Sequence, residues 1–95
     1  MREYEMVFIL HPRLDEEGVA SAIEQVTNWI VSSGGEVIET EPWGRRRLAY
    51  PIQKQWEGYY VVQRLRMAPE AVAELERNLR LSEDVMRHLI VRPGA

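Results

Sequence analysis

Three consecutive arginines, Arg45, Arg46 and Arg47, follow Gly44 and run directly into Leu48-Ala49-Tyr50-Pro51-Ile52. That continuation reads as an extended, partly buried strand, so the guanidinium groups are mounted on backbone that holds still. A guanidinium is a rigid fork of donors whose geometry suits phosphate oxygens. The chain around it is acidic, with formal net charge -3 and pI about 5.4. A basic cluster on a negative background predicts a local anion-binding face. A plainer reading stands beside it, because basic residues on an edge strand block edge-to-edge aggregation. One or two charges suffice for that purpose. Three adjacent arginines, with Lys54, Arg64 and Arg66 on the same hairpin, exceed it.

Other chemistry is sparse. His11 and His88 fall on different elements, with no carboxylate at metal-binding spacing beside either. They read as a strand-end residue and a residue of the last strand. No HExxH, GxSxG, P-loop or GxGxxG pattern occurs. A small acyl-phosphate hydrolase needs a glycine-rich anion loop after its first strand, and His11-Pro12-Arg13-Leu14-Asp15 has no glycine. The expectation is a non-enzyme with no catalytic residue, metal, cofactor or small-molecule substrate. Glu57-Gly58-Tyr59-Tyr60-Val61-Val62 loosely resembles half of an RNA-recognition signature, but its first residue is acidic where a basic one is wanted. A turn glycine followed by aromatic residues packing in a sheet explains that stretch more simply. Tyr4, Tyr50 and Trp56 have the same two readings, sheet packing or stacking platform.

The chain has 95 residues, 45% of them hydrophobic and 28% charged, which suits one domain with one core and little room for a deep cleft. There is no cysteine, which excludes a disulfide framework and thiolate chemistry and fits a reducing cytoplasm. Acids in Met1-Arg2-Glu3-Tyr4-Glu5 argue against a signal peptide, and the apolar run Met6 to Leu10 is too short to cross a membrane. From Leu14 to Glu41 there are seven acids and no base, whereas Pro42 to Met67 carries six bases against Glu57 alone. The charge is two-faced.

The elements that must position the arginines follow from pattern. Tyr4 to Leu10 alternates and is apolar on both sides at its centre, as a central strand is. Asp15 caps a helix whose Val19, Ala22, Ile23, Val26, Trp29 and Ile30 recur on one face, with Gly34-Gly35 as its stop. Glu36 to Ile52 reads as one long strand interrupted at Pro42 and Gly44, which implies an edge position or a bulge. Gln53 to Gly58 reads as a turn and Tyr59 to Met67 as the returning strand. Pro69 opens a second helix with Val72, Leu75 and Leu79 inward, and Asp84 to Arg92 is the last strand. The order β-α-β-β-α-β predicts an α+β, ferredoxin-like fold: a four-stranded antiparallel sheet with both helices on one face. The first and last strands are expected in or beside the centre, the second strand at an edge, and the far sheet face uncovered.

Glycine, basic residues and Leu-Ala-Tyr-Pro-Ile over Gly44 to Ile52, followed by Gly58-Tyr59-Tyr60, resemble the core signature of the bacterial small-subunit ribosomal protein S-six family. The opening Met1 to Glu5 and the stretch from Asn78-Leu79-Arg80 to Val85-Met86-Arg87 resemble it too, so the likeness spans nearly the whole chain. The resemblance implies the same fold over residues 1–95 as a single RNA-binding domain. It also implies binding to the central domain of small-subunit ribosomal RNA, together with a ribosomal protein of the S-eighteen type. Carried over by position, Arg2, Tyr4, Arg45, Arg46, Arg47, Lys54, Arg80 and Arg87 are the implied phosphate and sugar contacts, with Arg92 a weaker member and Tyr4 or Tyr50 offering a base or ribose contact. Trp43, Leu48 and Ala49 are the expected apolar contacts with the protein partner. Gln53 and Met86 stand where the family pattern is usually basic, and the extended tail of many members is not expected to contribute here. Two other readings remain open at this point. One is a protein-interaction module that dimerises through the uncovered sheet face. The other is a small ferredoxin-like enzyme or effector-binding domain with a histidine near a pocket.

Overall fold

A computed structural model describes residues 1–93. The alternation of the first strand decides which way the sheet faces. In β1 (Arg2–Leu10), Tyr4, Met6, Phe8 and Leu10 all enter the main core, while Val7 and Ile9 point to the other side. The core lies between that first set and the buried stripe Val19, Ala22, Val26 and Ile30 of α1 (Glu16–Ser32). Asp15 caps α1 as its position predicts: the carboxylate accepts from the Gly18 N–H at 2.8 Å, and Glu16 and Glu17 occupy the first turn. At the other end the Gly34 and Gly35 N–H groups donate back to Val31 and Ile30.

β2 (Glu36–Ile52) and β3 (Gln55–Met67) form the long hairpin, and β4 (Val85–Val91) closes the sheet in the order β2-β3-β1-β4. Every neighbouring pair is antiparallel. Each helical crossover leaves a one-strand gap that the other crossover fills, which makes β1 and β3 central. β2 is an edge as expected; the last strand lies beside β1 but forms the opposite edge.

Several boundaries differ from expectation, and β1 already begins at Arg2 instead of Tyr4. Pro69 opens a 3-10 turn, Pro69–Ala71, and α2 proper begins at Val72 and runs to Leu81. The last strand is two residues shorter than read, leaving Arg92 just beyond it. The larger correction concerns the hairpin turn, which is only Gln53 and Lys54, because Ile52 and Gln55 already pair. Both turn residues have positive φ, 50° and 65°, the twist a two-residue hairpin requires. That turn normally advertises itself with Asn-Gly or Asp-Gly, and Gln-Lys gave no such signal.

Gly58 is therefore not a turn glycine but lies inside β3. A Cβ there would strike the Ile9 side chain and come within 2.9 Å of Met86 Cε. Ile9 and Met86 are buried with Leu48 in a second apolar cluster, on the sheet face away from the helices, with Ile52 and Tyr60 packed around it. Leu48 reaches this place because β2 leaves the ladder: Arg47 pairs with Glu57 and Ile52 with Gln55, so residues 48–51 bow out opposite Trp56 alone. The far sheet face is thus partly covered by the chain itself. Across the helix side, buried Gln63 of β3 donates from its amide to Thr27 of α1 and Thr40 of β2, each at 3.1 Å. This ties one helix and two strands together.

The Gly58→Ala variant is expected to lose about 1–3 kcal/mol of stability through overpacking of the second cluster. Equilibrium denaturation checks this; an unshifted midpoint would show that Ile9 and Met86 yield without cost.

Candidate nucleic-acid interface

The three adjacent arginines do not act as one patch, because successive strand residues face opposite sides. Arg46 pairs with Gly58 and so shares the face of the second apolar cluster. Arg45 pairs with Tyr59, which packs on the main core, and Arg47 with Glu57, so both look to the helix side. Arg45 is already engaged: its guanidinium donates to Glu57 at 3.2 Å and to the Leu14 carbonyl at 3.0 Å. Arg46 and Arg47 have no acidic partner among the described residues; instead their guanidinium carbons lie 5.1 Å and 5.7 Å from the ring centroids of Trp43 and Trp56.

Around the hairpin the fold gathers further cations. Lys54 projects from the turn, without an ion pair among the described residues. Gln53 of the turn, Arg80 at the end of α2 and Arg87 of β4 line one shallow depression. Arg87 also bonds to the Tyr50 hydroxyl and lies 5.7 Å from that ring's centroid, which fastens the bowed segment of β2 to the far edge strand. Arg80 is 4.0 Å from Glu76 in an exposed pair that leaves most of its charge available. Arg46, Arg47, Lys54, Arg80 and Arg87 therefore belong to one end of the molecule.

Other expected site residues are elsewhere. Arg2 pairs with Met67 at the start of β1, roughly 26 Å of strand from Leu10 and the hairpin end. Arg92 follows Val91, which pairs with Glu5, and so belongs to that remote end too. Arg64 and Arg66, which the sequence counted with the basic hairpin, face Glu3 and Glu36 at 3.9 Å and 2.9 Å. Tyr4 is a correction: at 7% exposure its ring is part of the main core and offers no stacking surface. Leu48 is another, since at 5% exposure it is the floor of the second cluster and not a surface for a partner. Ala49 and Trp43 are exposed, but Ala49 lines the sheet-face groove whereas Trp43 belongs with Arg46. Tyr59 and Tyr60 pack against the two clusters.

The sheet-face groove, about 310 Å³, is lined by Val7, Ile9, Leu48, Ala49, Tyr60 and Leu89, with Tyr50 and Arg87 at its rim. Leu89 is 60% exposed and continues the apolar strip along β4 to Val91. Sequence reasoning missed this strip because a short edge strand with alternating apolar residues looks like ordinary core. It also missed the pairing of Trp56 with Arg47, which depends on the bulge between them. Among the described residues no three His, Asp or Glu side chains converge as metal ligands, and no helix is long and apolar enough to cross a membrane. His11 accepts from the Arg13 N–H, and His88 lies 3.4 Å from Glu76.

Known proteins resemble this chain over nearly its full length. Residues 3–92 match the family described as Ribosomal protein S6. The small ribosomal subunit protein bS6 of Carboxydothermus hydrogenoformans is 48% identical over 92 residues, covering 97% of this chain and 96% of that protein. Its counterpart in Salinispora arenicola is 50% identical over 93 residues, covering 98% and 97%. The crystal structure of 30S ribosomal protein S6 from Thermotoga maritima superposes with a TM-score of 0.90 at 33% identity, over 96% of this chain and 86% of that one. The chain belongs to the ribosomal protein S6 family, whose members are ribosomal structural proteins and not enzymes.

The turn leaves one consequence for stability. Lys54 holds a left-handed backbone that disfavours side chains, so Lys54→Gly is expected to stabilise the hairpin by about 0.5–1 kcal/mol. Thermal unfolding checks it, and a lowered midpoint would show that the lysine side chain itself holds the turn.

Proposed function

We propose that this S6-family chain is a structural component of the small ribosomal subunit, working on the ribosome in the cytoplasm as a single RNA-binding domain. In this reading it binds the central domain of small-subunit ribosomal RNA together with a ribosomal protein of the S-eighteen type. The observation that carries it is the hairpin end: Arg46, Arg47 and Lys54, without acidic partners among the described residues, flanked by Arg80 and Arg87. Guanidinium groups held by strand backbone and by stacking contacts are preorganised for phosphate and ribose contacts, which position RNA without reading its sequence.

The charge balance supports a role for the partner. A chain of net charge -3 approaches RNA against its own field, so its affinity alone is weak. A basic partner on the same RNA offsets that repulsion. The groove and strip formed by Val7, Ala49, Leu89 and Val91 are the surface we assign to it, replacing Leu48 in the expected contact set. Exposed apolar side chains of this size on an edge strand find their explanation in a protein interface.

Binding of a central-domain RNA fragment across a salt series, with and without the partner, tests the reading. Tight, salt-sensitive binding that needs the partner is the expected result, and no binding under either condition would overturn it. Arg46→Ala is expected to weaken binding and to reduce the salt slope by about one unit, as the loss of one phosphate contact does. An unchanged slope would remove Arg46 from the interface. Arg45→Ala, whose guanidinium is already spent on Glu57 and Leu14, is expected to leave the slope nearly intact. Leu89→Asp is expected to abolish the partner's contribution while the protein stays folded; retained cooperativity would place the partner elsewhere.

A further inference from the structure

Two of the three tryptophans are spent on the surface of the hairpin. Trp43 is 46% exposed and Trp56 52%, whereas Trp29 packs against the main core. Core formation does not require this display, and the backbone is arranged to produce it. Pro42 pairs with Val61 and Gly44 with Tyr60, so Trp43 is the extra residue of a bulge with no partner on β3. Bulges re-aim side chains, and this one depends on Gly44, whose φ of 84° an L side chain resists. Trp56 sits opposite the second bulge, where residues 48–51 leave the ladder. Each indole then meets a guanidinium that is not neutralised by an acid among the described residues, Arg46 over Trp43 and Arg47 over Trp56.

An exposed aromatic ring beside an unneutralised guanidinium matches one unit of single-stranded nucleic acid. A base offers a π-face to the ring, and its adjoining phosphate offers charge to the arginine. Bases inside a duplex are stacked on each other and present no such face, and the A-form major groove is too narrow and deep to admit the side chains. We propose that Trp43 with Arg46, and Trp56 with Arg47, are stacking sites for unpaired nucleobases. The RNA element taken by the hairpin is accordingly a bulge, loop or junction strand, not continuous helix. This inference rests on the RNA-binding reading above and adds to it the class of RNA element and the residues that select it.

The test uses the full chain with its partner and the central-domain RNA fragment, titrated in a salt series. Trp43→Leu and Trp56→Leu keep apolar bulk but lose the ring; each is expected to weaken binding roughly tenfold, with the salt slope unchanged. Trp43→Phe and Trp56→Phe, which keep a ring, are expected to recover most of that loss. Thermal unfolding of all four variants, expected near the parent because the rings are exposed, separates binding from folding. Leucine variants that bind as tightly as the parent would overturn the stacking sites and leave the phosphate-binding reading standing. Equal losses for leucine and phenylalanine, or a reduced salt slope, would overturn them as well. Failure of the parent protein itself to bind the fragment would overturn both readings.

Discussion

The small apolar cluster of Ile9, Leu48 and Met86 holds the hairpin end of this protein in place. The main core between sheet and helices would form without it, but the far half of the β2–β3 hairpin would then have little to rest on. Residues 48–51 forgo regular pairing with β3, and what they gain in exchange is burial of Leu48 against β1 and β4. Burying one leucine side chain is worth about 1.5–3 kcal/mol, enough to decide the conformation of a short bowed segment. The Tyr50–Arg87 contact adds a second fastening a few residues on. Gly58 is the third element, since only a residue without Cβ lets β3 pass that close to Ile9 and Met86. Arg46, Arg47 and Lys54 inherit their positions from this arrangement.

Electrostatics then sorts the cations that the fold has positioned. Arg13 faces Asp84, Arg45 faces Glu57, Arg64 faces Glu3 and Arg66 faces Glu36, all in exposed pairs. Such pairs contribute roughly 0–1 kcal/mol each and do not hold the fold together. Their consequence is local: each sets an acid beside a guanidinium, whereas Arg46, Arg47 and Lys54 at the hairpin have no acidic partner among the described residues. The acids of α1 and of the first half of β2 form the other pole. A weakly acidic protein in this way carries a basic cluster at one end of its sheet.

Much of this was legible in the chain. The helix cap at Asp15, the α1 stripe, the long interrupted β2 and the order of elements followed from periodicity and turn chemistry, because each is decided by residues within a few positions of one another. The Gly44-to-Ile52 signature also pointed to the correct family. What escaped was decided at long range. Gly58 looked like a turn residue because its reason for being glycine lies in β1 and β4. Tyr4 and Leu48 have surface-compatible patterns but are buried by partners far away in sequence. The arginine run looked like a single patch because a sequence does not display the alternation of faces together with the acid that claims Arg45. Arg2 and Arg92 lie near the chain ends, and only the strand register places them away from the hairpin.

Amide chemical-shift mapping of the full chain, bound to the central-domain RNA fragment and its partner, tests most directly whether the hairpin end is the RNA interface. RNA added to the protein–partner complex is predicted to perturb residues 43–47, 53–56 and 87, while Arg64, Arg66 and their ion-paired end stay unchanged. Perturbations concentrated at Arg2, Arg64, Arg66 and Arg92, with a silent hairpin, would contradict it.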